Sequence, residues 1–171
     1  MEIFEKLMQV NFMGAVSLVH HALPHLIASK GHIVGISSVN GRRATPARSA
    51  YAASKYAMEG FFETIRMELR PQQVRVLVVC PGFTRSNMRK SSIMPDGKEQ
   101  GETKLKEGRF MEAETVAKKV YKSMVRKKRD LVLTPEGKLV VFANKFIPAI
   151  VDNLVFRFMA RKPDSPFYKG K

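Results

Sequence analysis

The chain has 171 residues, with 30 Lys and Arg against 15 Asp and Glu, which gives a formal net charge of +15 at pH 7. A hydrophobic share of 44% and a charged share of 26% are ordinary for one globular domain, and they exclude a collagen-like or wholly disordered chain. The single cysteine, Cys80, excludes an internal disulfide and a zinc cluster built from cysteines, and it favours a reducing compartment.

The two ends of the sequence give no sign of export or of a membrane span. The first ten residues, MEIFEKLMQV, lack the basic segment and unbroken apolar run of a secretory leader. The most apolar stretch, residues 146–160, is interrupted by Asp152 and Arg157, so we do not expect it to cross a bilayer. The sequence therefore predicts a cytoplasmic protein.

Helical and strand patterns alternate along the chain. Apolar residues recur at three- and four-residue steps in three segments, which predicts helices over 2–30, 49–69 and 112–127. Short apolar runs predict strands over 32–37, 74–80 and 130–134. We expect the first strand to be buried on both faces and the second to be central. The alternation predicts right-handed crossovers and a three-layer α/β fold around a parallel sheet.

The remaining segments are less regular. Residues 38–48 have the composition of a polar loop, and residues 84–108 are polar and too weakly patterned for an element, which predicts mobility. The basic run at 126–130 has two open interpretations, a phosphate-binding patch or a solvated helix end. Residues 138–171 alternate apolar residues with Lys or Arg, which indicates an amphipathic helical tail that docks on another surface.

Two residues in the second predicted helix are candidates for proton transfer. Tyr51 and Lys55 stand four apart, which places both side chains on one face. An ammonium beside a phenol stabilises the phenolate and so prepares it for proton transfer near neutral pH, although the same spacing occurs on ordinary solvated helices. Ser38 follows the first strand, where open α/β sheets bind ligands. Asn11 lies inside a helix, where an amide competes with backbone hydrogen bonds.

Through Asn11, Ser38, Tyr51 and Lys55, the sequence resembles the short-chain dehydrogenase/reductase family. Four motifs occur in the family's order: VNFMG with Asn11, GHIVGISS with Ser38, YAASK with Tyr51 and Lys55, and VCPGF with Pro81 and Gly82. The separations from Asn11 to Ser38 and from Ser38 to Tyr51 are those of the family. The resemblance implies a doubly wound, Rossmann-like sheet, of which this chain would hold about three strands, their flanking helices and the C-terminal helical tail.

The resemblance implies NADP- or NAD-dependent interconversion of an alcohol and a ketone or aldehyde. Tyr51 would act as general acid/base, and Ser38 would polarise the substrate oxygen. Lys55 would assist Tyr51 and bind the ribose hydroxyls of the nicotinamide half of the cofactor. Asn11 would hold a water that links Lys55 to solvent. It could also be a buried amide that bonds a helix carbonyl.

The PGFTRS stretch matches the loop by which the family contacts nicotinamide. In this chain the loop would contain Pro81, Gly82, Thr84 and Ser86, with Ser86 where the family usually has Thr. Pro81-Gly82 could also serve only to end a strand. Ser37 neighbours Ser38, but the family spacing selects Ser38. Cys80 is interpreted as inert packing, and the four histidines suggest no metal site.

Part of the family's pattern has no counterpart here. The sequence lacks the glycine-rich turn that holds the pyrophosphate, and Met1 already falls in the helix that carries Asn11. We therefore interpret residues 1–171 as a single truncated domain that binds NAD(P)H weakly or not at all in isolation. The alternative is a non-catalytic α/β module that binds a partner, an anionic membrane or nucleic acid through its basic C-terminal surface. No RNA- or DNA-binding motif supports nucleic acid.

The sequence indicates general features of the substrate and not its identity. Residues 88–108 fall where the family keeps a variable substrate lid, and their apolar residues favour an apolar or amphiphilic alcohol or ketone. The arginines of the polar loop, Arg42, Arg43 and Arg48, fit either an acidic group on the substrate or an exposed surface. We expect a homo-oligomer for the full-length protein. The tail resembles the C-terminal helices by which some relatives pair or rest on membranes, and the sequence leaves these two roles open.

Overall fold

The structure is a computed structural model that describes residues 1–85, 110–161 and 167. Its strands are β1 His32–Ile36, β2 Arg75–Cys80, β3 Thr84–Arg85, β4 Met111–Glu112 and β5 Asp130–Val132. Its helices are α1 Glu2–Leu7, α2 Gly14–Ser29, α3 Ser49–Glu68, α4 Ala113–Val125, α5 Pro135–Ala143 and α6 Pro148–Ala160. A π-helical turn, Met8–Met13, joins α1 to α2, and a 3-10 turn, Val39–Gly41, follows β1. Helices and strands alternate, so the predicted α/β class is confirmed.

The main sheet has three parallel strands in the order β1, β2, β5. β2 lies in the centre, with Arg75 opposite His32 of β1 and Val78 opposite Asp130 of β5. Every residue of β2 after Arg75 is buried, as expected for a strand that is covered on both faces. The prediction of adjacent parallel strands with residues 74–80 in the centre is therefore confirmed.

The prediction that the first strand is buried on both faces is wrong. Ile33 and Gly35 of β1 are buried, but His32 and Ile36 are exposed, Ile36 by 48%. Side chains alternate between the two faces of a strand, so one face of β1 packs on α3 while the other is largely uncovered in the described structure. The reason is that β1 is an edge strand here, and a short apolar run does not distinguish an edge strand from a central one.

The N-terminal helical segment follows one continuous path from α1 through the π-helical turn to α2. Lys30 ends it in the left-handed conformation with φ 49°, and the N–H of Gly31 donates to the Leu26 carbonyl at 2.8 Å. The helix predicted over 2–30 is confirmed. The π-helical turn within it was not predicted, because one extra residue in a turn barely disturbs the apolar spacing.

The main sheet separates two layers of apolar side chains. The α3 layer, formed with α2 and α3, buries Ile33, Met58, Phe62, Ile65, Leu69, Val74, Val76, Val78 and Cys80. The α4 layer buries Leu77, Val79 and Leu133, and half-buried residues of α4 pack against them, among them Val116, Val120 and Met124. β2 supplies both layers because its successive side chains point to opposite faces.

The C-terminal helical tail consists of α5 and α6 in the described residues, and it begins at Pro135, three residues before the predicted start at 138. The hydroxyl of Thr134 caps α5 by accepting the N–H of Gly137 at 3.2 Å, and Pro135 occupies the first turn. β5 therefore ends at Val132, two residues before the predicted end. α5, α6 and the connection between them expose several large apolar side chains: Leu139, Phe142, Phe146, Ile147, Ile150, Leu154, Phe156 and Phe158.

Two further segments complete the description. The basic run at 126–130 follows the C-terminus of α4 and is exposed, which favours its interpretation as a helix end.

β3 and β4 form a small parallel pair with Thr84 opposite Met111, in strands too short for a sequence pattern. The lid predicted over 88–108 lies outside the described residues. None of the helices in the described ranges has the length and hydropathy needed to span a membrane.

Candidate active site

The segments that carry the predicted site residues meet at the carboxyl-terminal edge of the main sheet. Lys55 of α3 donates from Nζ to the carbonyl of Ile36, the last residue of β1, at 3.1 Å. Just beyond β1, the N–H of Val39 donates to the carbonyl of Pro81, which follows β2, at 3.2 Å. Ligands of open α/β sheets bind at this edge.

Tyr51 and Lys55 lie on one face of the first turns of α3. The Lys55 Nζ stands 5.9 Å from the centre of the Tyr51 ring. It also lies 3.4 Å from the Met58 sulfur, and both residues of the pair are half-buried. Burial lowers the pKa of the Lys55 ammonium, against the opposing influence of Cys80 and Glu59. The ammonium is therefore fixed beside the phenol by the end of β1.

The two neighbouring serines have different surroundings. The Ser37 hydroxyl is 4% exposed and has no hydrogen-bond partner among the described residues. Ser38 is half-buried, and its hydroxyl accepts the N–H of Asn40 at 3.1 Å. A hydroxyl that accepts from the backbone keeps its own proton available for a substrate oxygen. This arrangement supports Ser38, and not Ser37, as the serine within reach of a ligand.

Asn11 lies in the π-helical turn, a type of irregularity that is frequent at functional sites. Its side-chain Nδ2 donates to the Ser54 hydroxyl at 3.0 Å, and that hydroxyl donates to the Tyr51 carbonyl at 2.8 Å. Ser54 is fully buried on α3. Asn11 is thus connected to the turn that carries Tyr51 through a serine. The predicted water beside Asn11 stays a prediction.

Sequence reasoning missed Ser54. The signal was present, since Ser54 lies at the helical spacing of the buried positions Ala50 and Met58 on α3. A hydroxyl at such a position needs a buried partner, and here the partner is Asn11.

The loop after β2 is shaped by close packing. A Cβ on Gly82 would lie 2.6 Å from the Thr134 side chain, so this position requires glycine for contact with the turn between β5 and α5. The Thr84 hydroxyl donates to the Gly82 carbonyl at 3.4 Å. Gly82 therefore does more than end a strand, because it packs the loop after β2 against the turn between β5 and α5. Ser86 lies outside the described residues.

Two of the three arginines of the polar loop, Arg42 and Arg43, are held in ion pairs, so neither an acidic substrate group nor a purely exposed surface describes these two. Arg42 pairs with Glu59 of α3 at 2.9 Å and with Asp130 of β5. Burial acts to lower the pKa of Arg42, but the two carboxylates outweigh it and raise the pKa above its ordinary value. Arg43 pairs with Asp152 of α6 at 2.6 Å. Both arginines fasten the loop between Ser38 and Tyr51 to other elements.

The donor set at this edge fits the nicotinamide half of a dinucleotide. Of its three ammonium hydrogens, Lys55 donates one to the Ile36 carbonyl and one to the Met58 sulfur, so one donor remains for a ribose hydroxyl. The Tyr51 phenol lies beside the ammonium, and the loop that begins at Pro81 is bonded to Val39, just beyond β1. For metals, the described part of the chain places no three His, Cys, Asp or Glu side chains together as a cation site.

Comparisons with known proteins agree with this site. A sequence model of the short chain dehydrogenases matches residues 1–96. The chain is 33% identical over 162 residues to mouse dehydrogenase/reductase SDR family member 7B, covering 94% of this chain and 49% of the mouse protein. The zebrafish member is 35% identical over 159 residues, covering 92% and 50%. The chain belongs to the short-chain dehydrogenase family, and it spans about half the length of the curated relatives it matches.

Solved structures show the same fold. A short chain dehydrogenase from Burkholderia cenocepacia in complex with NADP superposes with a TM-score of 0.71 at 20% identity, covering 86% of this chain and 56% of that one. A 4-hydroxyisoleucine dehydrogenase complexed with NADH gives a TM-score of 0.59 at 27% identity, covering 76% and 57%. The three-stranded sheet of this chain is thus Rossmann-like, as the resemblance predicted.

Proposed function

We propose that this chain supplies the proton-transfer site of a nicotinamide-dependent oxidoreductase that interconverts an alcohol and a ketone or aldehyde. The observation that carries the proposal is the Lys55 ammonium, held by the Ile36 carbonyl 5.9 Å from the Tyr51 ring at the ligand-binding edge of the sheet. Bound NADPH or NADH would supply the hydride during reduction, and bound NADP or NAD would accept it during oxidation. From its membership of the family, we also propose that the full-length protein acts on a small-molecule substrate and forms a homo-oligomer.

Each residue of the site has a distinct part in this proposal. Tyr51 gives its phenolic proton to the substrate oxygen during reduction and takes it back during oxidation. Ser38 donates a hydrogen bond to the same oxygen, which stabilises the charge that develops there. Lys55 favours the phenolate form of Tyr51 and binds ribose hydroxyls. Asn11 positions the turn of Tyr51 through Ser54.

The test is a pair of tyrosine variants in the natural gene product, assayed for oxidation of NADPH and NADH with a panel of ketones and aldehydes. Tyr51→Phe removes the transferable proton and is expected to lower kcat at least about 100-fold. Tyr56→Phe is the matched control, since Tyr56 lies on the same helix and is 45% exposed, and its kcat should stay within about twofold of wild type. Equal rates for both variants would contradict the assignment.

A further inference from the structure

Glu59 is an acidic residue beside the candidate site that takes no direct part in the proposed proton transfer. Glu59 lies one turn beyond Lys55 and two turns beyond Tyr51 on the same face of α3. Its side chain is only 14% exposed. A carboxylate that is withdrawn from water to this extent requires compensating partners, and α3 supplies none of them itself.

The partners of Glu59 come from two other elements. Arg42 donates from Nε to Oε2 at 3.0 Å, and the Cys80 thiol of β2 donates to Oε1 at 3.1 Å. Arg42 also pairs with Asp130 of β5, which lies 3.7 Å from Arg66. The Glu59 carboxylate is thereby fixed in one orientation, and the loop after β1 is fixed with it.

The loop packs tightly on the turn between Lys55 and Glu59. A Cβ on Gly41 would lie 3.0 Å from the Lys55 carbonyl and 3.2 Å from Cγ of Glu59. Glycine therefore lets the backbone of the 3-10 turn approach this part of α3 directly. The same turn begins at Ser38, so the contact also sets the position of that serine relative to α3.

Among the groups around Lys55, Glu59 is the one whose charge stabilises the Lys55 ammonium. The groups that face this part of α3 are Tyr51 and Glu59 on α3, Cys80 on β2 and Arg42 in the loop, while the Glu2, Glu5 and Lys6 side chains of the neighbouring α1 are exposed. Burial raises the pKa of Cys80 to about 12, so at neutral pH it is an uncharged thiol. Glu59 is then the negative charge that opposes the cost of burying the Lys55 ammonium.

We propose that Glu59 is a positioning residue of the site. Its carboxylate, fixed by Arg42 and Cys80 one turn beyond Lys55, keeps the Lys55 ammonium charged beside Tyr51. The inference deepens the proposed function and rests on it for its purpose, but the ionisation of Lys55 is measurable without cofactor or substrate.

The test is an NMR titration of Lys55 in protein labelled with carbon-13 at the lysine side chains, with Lys55→Arg identifying the resonance. Side chains one helical turn apart lie roughly 6 Å from each other, where unit charges alter an ionisation constant about tenfold. Glu59→Gln is therefore expected to raise the acid dissociation constant of Lys55 about tenfold. Glu59→Asp is expected to restore most of the wild-type value.

The control is Glu63→Gln, the same substitution at an exposed position one turn further along α3, which should leave the titration of Lys55 unchanged. Lower thermal stability of Glu59→Gln with an unchanged Lys55 titration would overturn the proposal and leave Glu59 as a partner of Arg42 only. If Glu59→Gln does not fold, Glu59→Met, a second neutral variant, takes its place, and an unchanged Lys55 dissociation constant in that variant overturns the proposal. A failure of the Tyr51 assay would leave these results standing, so the two proposals fail separately.

Discussion

The two layers beside the main sheet differ in depth and in what they hold in place. Among the described residues, the α3 layer has nine buried side chains in its core, whereas the α4 layer has three and leaves most of α4 exposed. Ser54, Lys55 and Glu59 lie on α3, the helix of the deeper layer, and Asn11 is bonded to it through Ser54. The candidate site therefore lies on the side of the sheet where packing restrains the backbone most.

The largest effect on stability is expected from the centre of the α3 layer. Phe62 is 3% exposed, so Phe62→Ala should lower the free energy of unfolding by about 3–5 kcal/mol through lost burial and a cavity. Val120→Ala, at a half-buried position of the α4 layer, should cost about 1 kcal/mol. Urea unfolding of both variants measures the difference. Similar losses would show that the two layers contribute equally.

A smaller effect is expected where β1 meets α3. A Cβ on Gly35 would lie 2.5 Å from the Phe62 ring, so Gly35→Ala should overpack this contact and cost about 1–3 kcal/mol. Combining it with Phe62→Leu makes room for the methyl group, and the double variant should lose less than the sum of the single changes. Strict additivity in urea unfolding would mean that the strain lies elsewhere.

The pH dependence of stability tests the buried thiol of the α3 layer. Burial, followed by the charge of Glu59, raises the pKa of Cys80 from 9.0 to about 12. The folded state therefore keeps a proton that the unfolded state loses above pH 9, and stability that is present below pH 9 is lost as pH rises. Between pH 9 and 10.5, wild type should lose about 2 kcal/mol relative to Cys80→Ala. Parallel pH curves for the two proteins would exclude the effect.

The smallest effect is expected from the exposed side of the α4 layer. Glu114 and Lys118 form an ion pair at 2.7 Å, but their side chains are 78% and 75% exposed. Water and salt screen such a pair, so Glu114→Gln should change the free energy of unfolding by less than about 0.5 kcal/mol. A loss above 1 kcal/mol in thermal unfolding would show that α4 is fastened more firmly than its exposure indicates.

The sequence predicted the elements better than their environments. The strand at 75–80 could be placed in the centre because its apolar run is unbroken, whereas the apolar run of β1 gave the wrong prediction for His32 and Ile36. Periodicity reports which residues are apolar, and it does not report whether a neighbouring element covers them. Arg42 shows the same limit, because its partners Glu59 and Asp130 are far away in the sequence.

By itself, the sequence determined the alternation of helices and strands, the spacing of Tyr51 from Lys55 and the family to which the chain belongs. These properties are local, since they depend on periodicity and on motifs a few residues long. Only the tertiary structure decided that Asn11 reaches the turn of Tyr51 through Ser54, and that Glu59 is held beside Lys55 by a loop and a strand. Contacts of this kind join residues that are distant in the chain, and a parallel sheet creates them because each crossover returns the backbone to the same edge.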